Sequence, residues 1–195
     1  MSAISQCRLC RGANLAEVLD FGVTAFTGVF PASPTEKVDE GRLRLVVCQD
    51  CGLAQLADSF PADVLYGDNY GYRSGLNASM LQHLRRTAHR LERLAGLSAG
   101  DVVLDIGAND GSLLRSYETA GLIRVGIDPT IAKFIEFYAN DVDTTCVPDF
   151  FNAANFDAVS DQRASVVTSI AMFYDLEDPV AFARDIRHCL ATDGL

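Results

Sequence analysis

Four cysteines and one glycine-rich run are the residues of this chain whose types and spacing could do chemistry. Cys7 and Cys10 form one CxxC pair, and Cys48 and Cys51 form a second. A CxxC turn can set two sulfurs on one side of a backbone knuckle, and two such turns complete a tetrahedral shell of four thiolates, the donor set of structural zinc. No ligand position is then left for a substrate. The competing uses are a redox pair or buried free thiols. Redox use expects a single CxxC opening a helix, whereas both pairs here lie in loop-like sequence. Arg11 and Gly12 follow the first pair and Gly52 the second, which suits a tight turn. Cys146 and Cys189 stand alone in apolar patterns and read as small core residues.

The run VVLDIGANDGSLL, residues 102–114, reads as a buried strand, a turn and a helix start. Such a turn brings backbone N–H groups to the tip of a sheet, where a ligand approaches closely only if bulky Cβ groups are missing. Gly107 and Gly111 meet that need, and between them Asn109 tolerates left-handed backbone angles. A simple structural turn would use the same residues. Asp105 precedes the first glycine, and Asp128 ends the next apolar segment in RVGIDPT. An acid at that second tip is placed to accept hydrogen bonds from two ribose hydroxyls, or to cap the helix opened by Pro129, or to do both. After a third strand, PDFF offers Asp149 and Phe150, a polar group and an aromatic face suited to an adenine.

The elements that must position these residues differ along the chain. Residues 1–68 are loop-rich, with turn formers in RGAN, PASPTE and DEGR separating short apolar stretches, none of them long enough for a self-sufficient core. A zinc staple would compensate. Residues 69–98 read as a helical connector: Leu76, Met80, Leu84, Ala88, Leu91 and Leu94 recur at helical steps from Ser74 to Leu97. Residues 99–195 read as α/β, with strands at Val102–Ile106, Ile123–Ile127, Val142–Val147 and Ser165–Ile170 and helical patterns from Gly111, Thr130 and Pro179. The closing ATDGL puts a turn at Asp193 and Gly194 that normally leads back into a sheet. The chain is therefore expected to be the front part of a longer protein.

The order of these motifs resembles the class I S-adenosylmethionine-dependent methyltransferases, and within them the sugar C-methyltransferases of deoxysugar biosynthesis. The resemblance covers nearly the whole chain. It rests on the paired CxxC motifs, on YGDNYGYRSG after them, on LDIGANDGSLL, and on TSIAMFYDLEDPVAFARDI. It implies an α/β fold with a Rossmann-like sheet of order 3-2-1-4-5-7-6, here incomplete with strands one to four, preceded by a small four-cysteine zinc-binding domain and a long helix. S-adenosylmethionine and structural zinc are the implied cofactors. The implied substrate is a small nucleotide-linked keto-deoxysugar, methylated at carbon through an enolate, with the principal base in a segment downstream of residue 195. Tyr70 and Tyr72 match the family's aromatic pair over the active site, although both could instead pack under the zinc lobe. Tyr174 stands where related sequences carry histidine; a phenol, with a reference pKa near 10, donates a hydrogen bond more readily than it abstracts a proton.

Composition narrows the alternatives. The 195 residues are 49% hydrophobic with a net charge of −10, a field that repels phosphate backbones and membrane surfaces. In residues 1–68 acidic side chains outnumber basic ones, against a zinc-lobed RNA base methyltransferase. An inactive cofactor-binding remnant is the other alternative. No apolar run reaches membrane-spanning length, so no membrane or nucleic-acid partner and a cytoplasmic location are expected. Nothing in the sequence indicates an oligomeric state. His83, His89 and the arginines at 85, 86, 90 and 93 read as solvated or helix-packed. Asp175, Glu177 and Asp178 read as helix N-terminal charge ahead of Pro179.

Overall fold

Turn-forming residues bracket the apolar stretches of the N-terminal third, and between them the chain is extended. The computed structural model describes residues 2–26, 31–67, 70–139 and 143–195. The chain falls into two units, residues 1–72 with 174–181, and residues 73–173 with 182–195.

In the first unit, β1 (Ser2–Ala3) pairs with β5 (Asp58–Ser59), and β2 (Leu15–Ala25), β3 (Glu40–Cys48) and β4 (Ala54–Leu56) form an antiparallel sheet in that order. A short α1 (Ala62–Leu65) follows. The expectation of a loop-rich segment is corrected here: β2 and β3 are long strands. Their pattern is hard to read because irregularities between Glu17 and Leu19 and between Asp20 and Val23 break the period of two, and most of β2 is exposed. The expected shortage of core holds. Among the described residues of this unit the buried side chains are Cys7, Val46, Cys48, Gln55 and Ala57.

The second unit opens with a 3-10 turn at Ser74–Leu76 and α2 (Ala78–Ala95). Asn77 accepts from the Ser79 amide at the start of α2, and Gly96 at φ 61° ends it. Leu84 and Ala88 of α2 are buried in a cluster with Val103, Leu114, Ile131 and Val166. Two positions assigned to the same apolar stripe do not join it. Leu76 precedes the helix proper and Leu94 lies at its far end, and they are 70% and 63% exposed.

A parallel sheet fills this unit: β6 (Val102–Ile106), β7 (Ile123–Ile127), β8 (Thr144–Val147) and β9 (Val166–Ser169), in the order β8-β7-β6-β9. That is the expected 3-2-1-4. The first two strands match the sequence reading residue for residue. The expected start of the third at Val142 lies outside the described residues, and the fourth is one residue shorter at each end than expected. Between the strands run α3 (Ile131–Phe134) and α4 (Ala153–Asp157), and α5 (Pro179–Cys189) follows β9.

The helix expected after Gly111 shrinks to about one turn, ending in a 3-10 segment at Leu114–Ser116. The amides of Glu118 and Thr119, which a continuing helix would direct at carbonyls four residues back, both donate to the Glu92 carboxylate at 2.7 Å. After α5 the turn leads back to the sheet as expected. Leu195 donates to the Ser165 carbonyl at 3.0 Å and accepts from the Val167 amide at 2.8 Å. Cys189 is fully buried and Cys146 packs against the core cluster, in keeping with small apolar roles. No helix among the described residues is long and apolar enough to cross a membrane.

The two classes of α2 leucine should separate in urea denaturation. Leu84→Ala should cost about 2–5 kcal/mol by leaving a core cavity, whereas Leu76→Ala and Leu94→Ala should each stay within about 0.5 kcal/mol. Equal losses would show that the stripe is buried along its whole length.

Candidate functional site

In the first unit, two backbone knuckles of the same form bring the four cysteine sulfurs together. Cys7 donates its amide to the Gly12 carbonyl and accepts from the Arg11 amide; Cys48 donates to the Leu53 carbonyl and accepts from the Gly52 amide. All four Sγ atoms lie within 4.8 Å of one another. Cys7 and Cys51 approach to 3.7 Å and Cys10 and Cys48 to 3.5 Å. Zinc–sulfur bonds of about 2.3 Å at tetrahedral angles require sulfurs roughly 3.8 Å apart, so the donor set fits that ion. Gln55, which the sequence reading passed over, donates its side-chain amide to Cys7 Sγ at 3.2 Å and accepts from the Arg8 amide at 3.0 Å. Such support orients a thiolate and disperses its charge.

Tyr70, Tyr72 and Tyr174 all belong to this unit. The Tyr70 ring stacks in a tilted pair with Tyr66, centroids 5.4 Å apart, and meets Tyr72 edge-on at 6.5 Å. Tyr72 and Tyr174 are exposed.

In the second unit, the C-terminal tips of the parallel strands gather the other candidate residues. Gly107, Asn109 and Gly111 all have left-handed backbone, at φ 76°, 52° and 74°. The Asn109 amide donates to Asp128 Oδ2 at 2.8 Å, and the Thr130 amide donates to Oδ1 at 2.6 Å. Asp128 thus caps its own turn and fastens the tip of β6 to that of β7. Each oxygen retains a further acceptor position. Beyond β8, Asp149 Oδ1 accepts from the Phe150 amide at 2.7 Å, and both side chains are exposed. Its neighbour Phe151 turns inward against Phe182, with centroids 5.3 Å apart.

The two glycines differ in purpose. Gly107 is exposed, and a Cβ there would meet only Met172 Sδ at 3.5 Å, an ordinary contact. A Cβ on Gly111 would lie 2.6 Å from the Tyr138 ring. Tyr138 is buried and donates its hydroxyl to the Asn109 carbonyl at 3.1 Å. Gly111 therefore makes room for Tyr138, a packing reason that stands beside the close ligand approach expected of the glycines.

Asp110 is a residue that sequence spacing did not single out. It is fully buried, accepts from the Ser112 and Gly75 amides at 3.1 and 2.9 Å, and lies 3.5 Å from the Arg73 guanidinium. Asn109 Oδ1 likewise accepts from the Ser74 amide at 2.9 Å. The partner segment lies 35 residues away along the chain in both cases, so no local pattern reports it.

Asp105 is buried at the end of β6. Desolvation pushes its carboxyl up to about 7, against the hydrogen bond donated by Thr168 Oγ1 at 2.7 Å and with help from the charge of Asp128. Ser169 stands in register with Ile106, and its buried Oγ has no hydrogen-bond partner among the described residues; nor has the buried Oγ1 of Thr130. Hydroxyls in that state at strand tips suit a polar ligand.

Residues 7–66 match a family described as a zinc binding domain, and residues 79–195 match the methyltransferase domain family. The chain belongs to the methyltransferase family. It is 30% identical over 196 residues to the C-methyltransferase NovU of Streptomyces niveus, a match covering 98% of this chain and 46% of that protein. The chain therefore spans about half the length of the curated relative it matches. Among solved structures, it is similar to a SAM-dependent methyltransferase from Geobacter sulfurreducens in complex with S-adenosyl-L-homocysteine, at TM-score 0.41 and 20% identity over 70% of this chain and 53% of that one. It is also similar to the CcbJ methyltransferase from Streptomyces caelestis, at TM-score 0.44 and 24% identity over 57% and 46%.

Two measurements probe the methyltransferase loop. Because the folded protein holds a proton on Asp105 up to about pH 7 and an unfolded carboxyl releases it near 3.8, stability should fall as pH rises through that window. At 1.36 kcal/mol per unit the fall is at most roughly 4 kcal/mol. Asp105→Asn keeps an acceptor for Thr168 and should remove that slope, so that the variant gains on the parent between pH 4 and 7; parallel curves would contradict the burial argument. Gly111→Ala should cost about 2–4 kcal/mol through left-handed strain and the Tyr138 collision, and Gly107→Ala only about 1–2 kcal/mol, read from urea midpoints.

Proposed function

We propose that this methyltransferase uses S-adenosylmethionine to methylate a carbon of a nucleotide-linked keto-deoxysugar. The observation that carries the cofactor half of this reading is the joining of Asn109 and Asp128 across the tips of β6 and β7. It leaves an exposed glycine at one tip, a carboxylate with spare acceptor positions at the next, and hydroxyls on Thr130 and Ser169 that have no partner among the described residues. Asp128 would receive the ribose hydroxyls, Asp149 the adenine amino group, and Phe150 would lie against the ring. Asp105, with one protein donor among its hydrogen bonds, would accept from the cofactor's amino-acid end. When bound, the cofactor supplies an electrophilic methyl group on a sulfonium.

The sugar half rests on the likeness to a C-methyltransferase and on chemistry. A carbon bearing hydrogen has no lone pair, so it becomes nucleophilic only after a proton α to a carbonyl is removed and the charge moves to oxygen. Tyr70, Tyr72 and Tyr174 carry hydroxyl donors of the kind that stabilise such an oxyanion. Four thiolates on zinc would set the fold of the unit that bears these tyrosines, with no open position for substrate.

Calorimetry with S-adenosylmethionine tests the reading. Asp128→Ala should weaken binding by roughly tenfold to a hundredfold, equivalent to about 1.4–2.8 kcal/mol, while the bound zinc measured by metal analysis stays at the parental level. Unchanged affinity would remove Asp128 from the cofactor site, and a matching loss of zinc would make it a folding residue.

A further inference from the structure

The two knuckles share their hydrogen bonds but differ at one corner. The residue after the second cysteine sits at φ 78° in one knuckle, where it is Gly52, and at φ 64° in the other, where it is Arg11. Left-handed backbone suits glycine, and a long side chain there costs conformational energy that persists when it performs a task. The Arg11 guanidinium donates to Asp178 Oδ2 at 2.8 Å. Asp178 also accepts from the Ala181 amide at 3.0 Å through Oδ1, capping the first turn of α5. The neighbouring Glu177 is held by the same lobe, accepting from Ser59 Oγ at 2.8 Å, with the Arg8 guanidinium 3.7 Å away. Arg8 lies inside the first CxxC pair and is itself fixed, donating to the Leu56 carbonyl at 2.6 Å and to Ser59 Oγ at 3.0 Å.

These contacts lie within one unit, to which residues 174–181 belong although the chain on both sides of them does not. Glu177 and Asp178 are thus more than helix N-terminal charge. We infer that Arg11 is a positioning residue: the metal knuckle carries arginine at its left-handed corner so that the guanidinium holds Asp178, and with it the turn that bears Tyr174. The inference rests on the proposed role of Tyr174 at the substrate only for its consequence in catalysis. The holding itself is a property of residues 8, 11, 59, 177 and 178.

Glycine at the matching corner of the second knuckle makes the test clean, because Arg11→Gly should relieve strain without disturbing the fold around the sulfurs. In the full zinc-loaded chain, Arg11→Gly should keep the parental zinc content and melting temperature. Amide exchange across residues 176–181, including the Ala181 amide, should quicken by about two- to fivefold, the range for one exposed ion pair. Adding Ser59→Ala should quicken it further, and Arg11→Lys should restore part of the protection. Removing zinc with a chelator should expose both knuckles and residues 176–181 together. Unaltered exchange in Arg11→Gly, no recovery with lysine, loss of zinc in the glycine variant, or persisting protection in the zinc-free chain would each overturn the inference. A substrate assay on the same variants is separate: faster exchange with an unchanged KM and kcat would leave the holding intact and remove Tyr174 from the reaction.

Discussion

A carboxylate withdrawn from water must find donors, and three of them, Asp105, Asp110 and Asp128, are buried at the tips of the parallel strands. The backbone around them is shaped by that demand. Asp128 takes two amides, one from each side of the gap between β6 and β7, and Asp110 takes two amides with the Arg73 guanidinium nearby. Left-handed backbone at three alternating positions lets the Asn109 amide face β7 while Gly111 clears the Tyr138 ring. Asp105 has the hydroxyl of Thr168 and rises toward neutrality under its burial. A polar ligand at these tips would complete what the protein leaves short.

What could be read in the sequence follows from how local each cause is. Val102–Ile106 and Ile123–Ile127 are legible because central parallel strands are covered on both faces and need near-continuous apolar runs. The left-handed Asn109 and the acid at the tip of β7 are legible because backbone geometry and strand order constrain them within a few residues. β2 is not, since its exposed surface imposes no alternation and its irregularities shift the register. The short helical turn after Gly111 is not either, because what ends it is Glu92, on a helix more than twenty residues earlier. Asp110, Gln55 and Tyr138 escape for the same reason: their partners come from distant segments.

The small unit shows the opposite balance from the sheet. Its antiparallel strands leave Val18, Leu19, Phe21 and Val23 exposed, and the five side chains buried among its described residues are too few to offset the entropy of ordering roughly seventy residues at about 1–2 kcal/mol each. Two of those five are cysteines. Cys48 is the last residue of β3, in register with Leu15 at the start of β2, so the sulfur cluster lies at the open end of that hairpin. Cys7 and Cys10 reach it from the segment before β2, so one ion ties together chain stretches that the sheet alone would leave joined by hydrogen bonds at their edges. Thiolates brought that close repel one another, and a cation reverses the sign of the interaction while the cross-link restricts the unfolded chain. The metal therefore takes in this unit the part that apolar burial takes in the other, and the residues that crowd the knuckles, Arg8, Arg11 and Gln55, gain fixed positions that a core of this size could not give them.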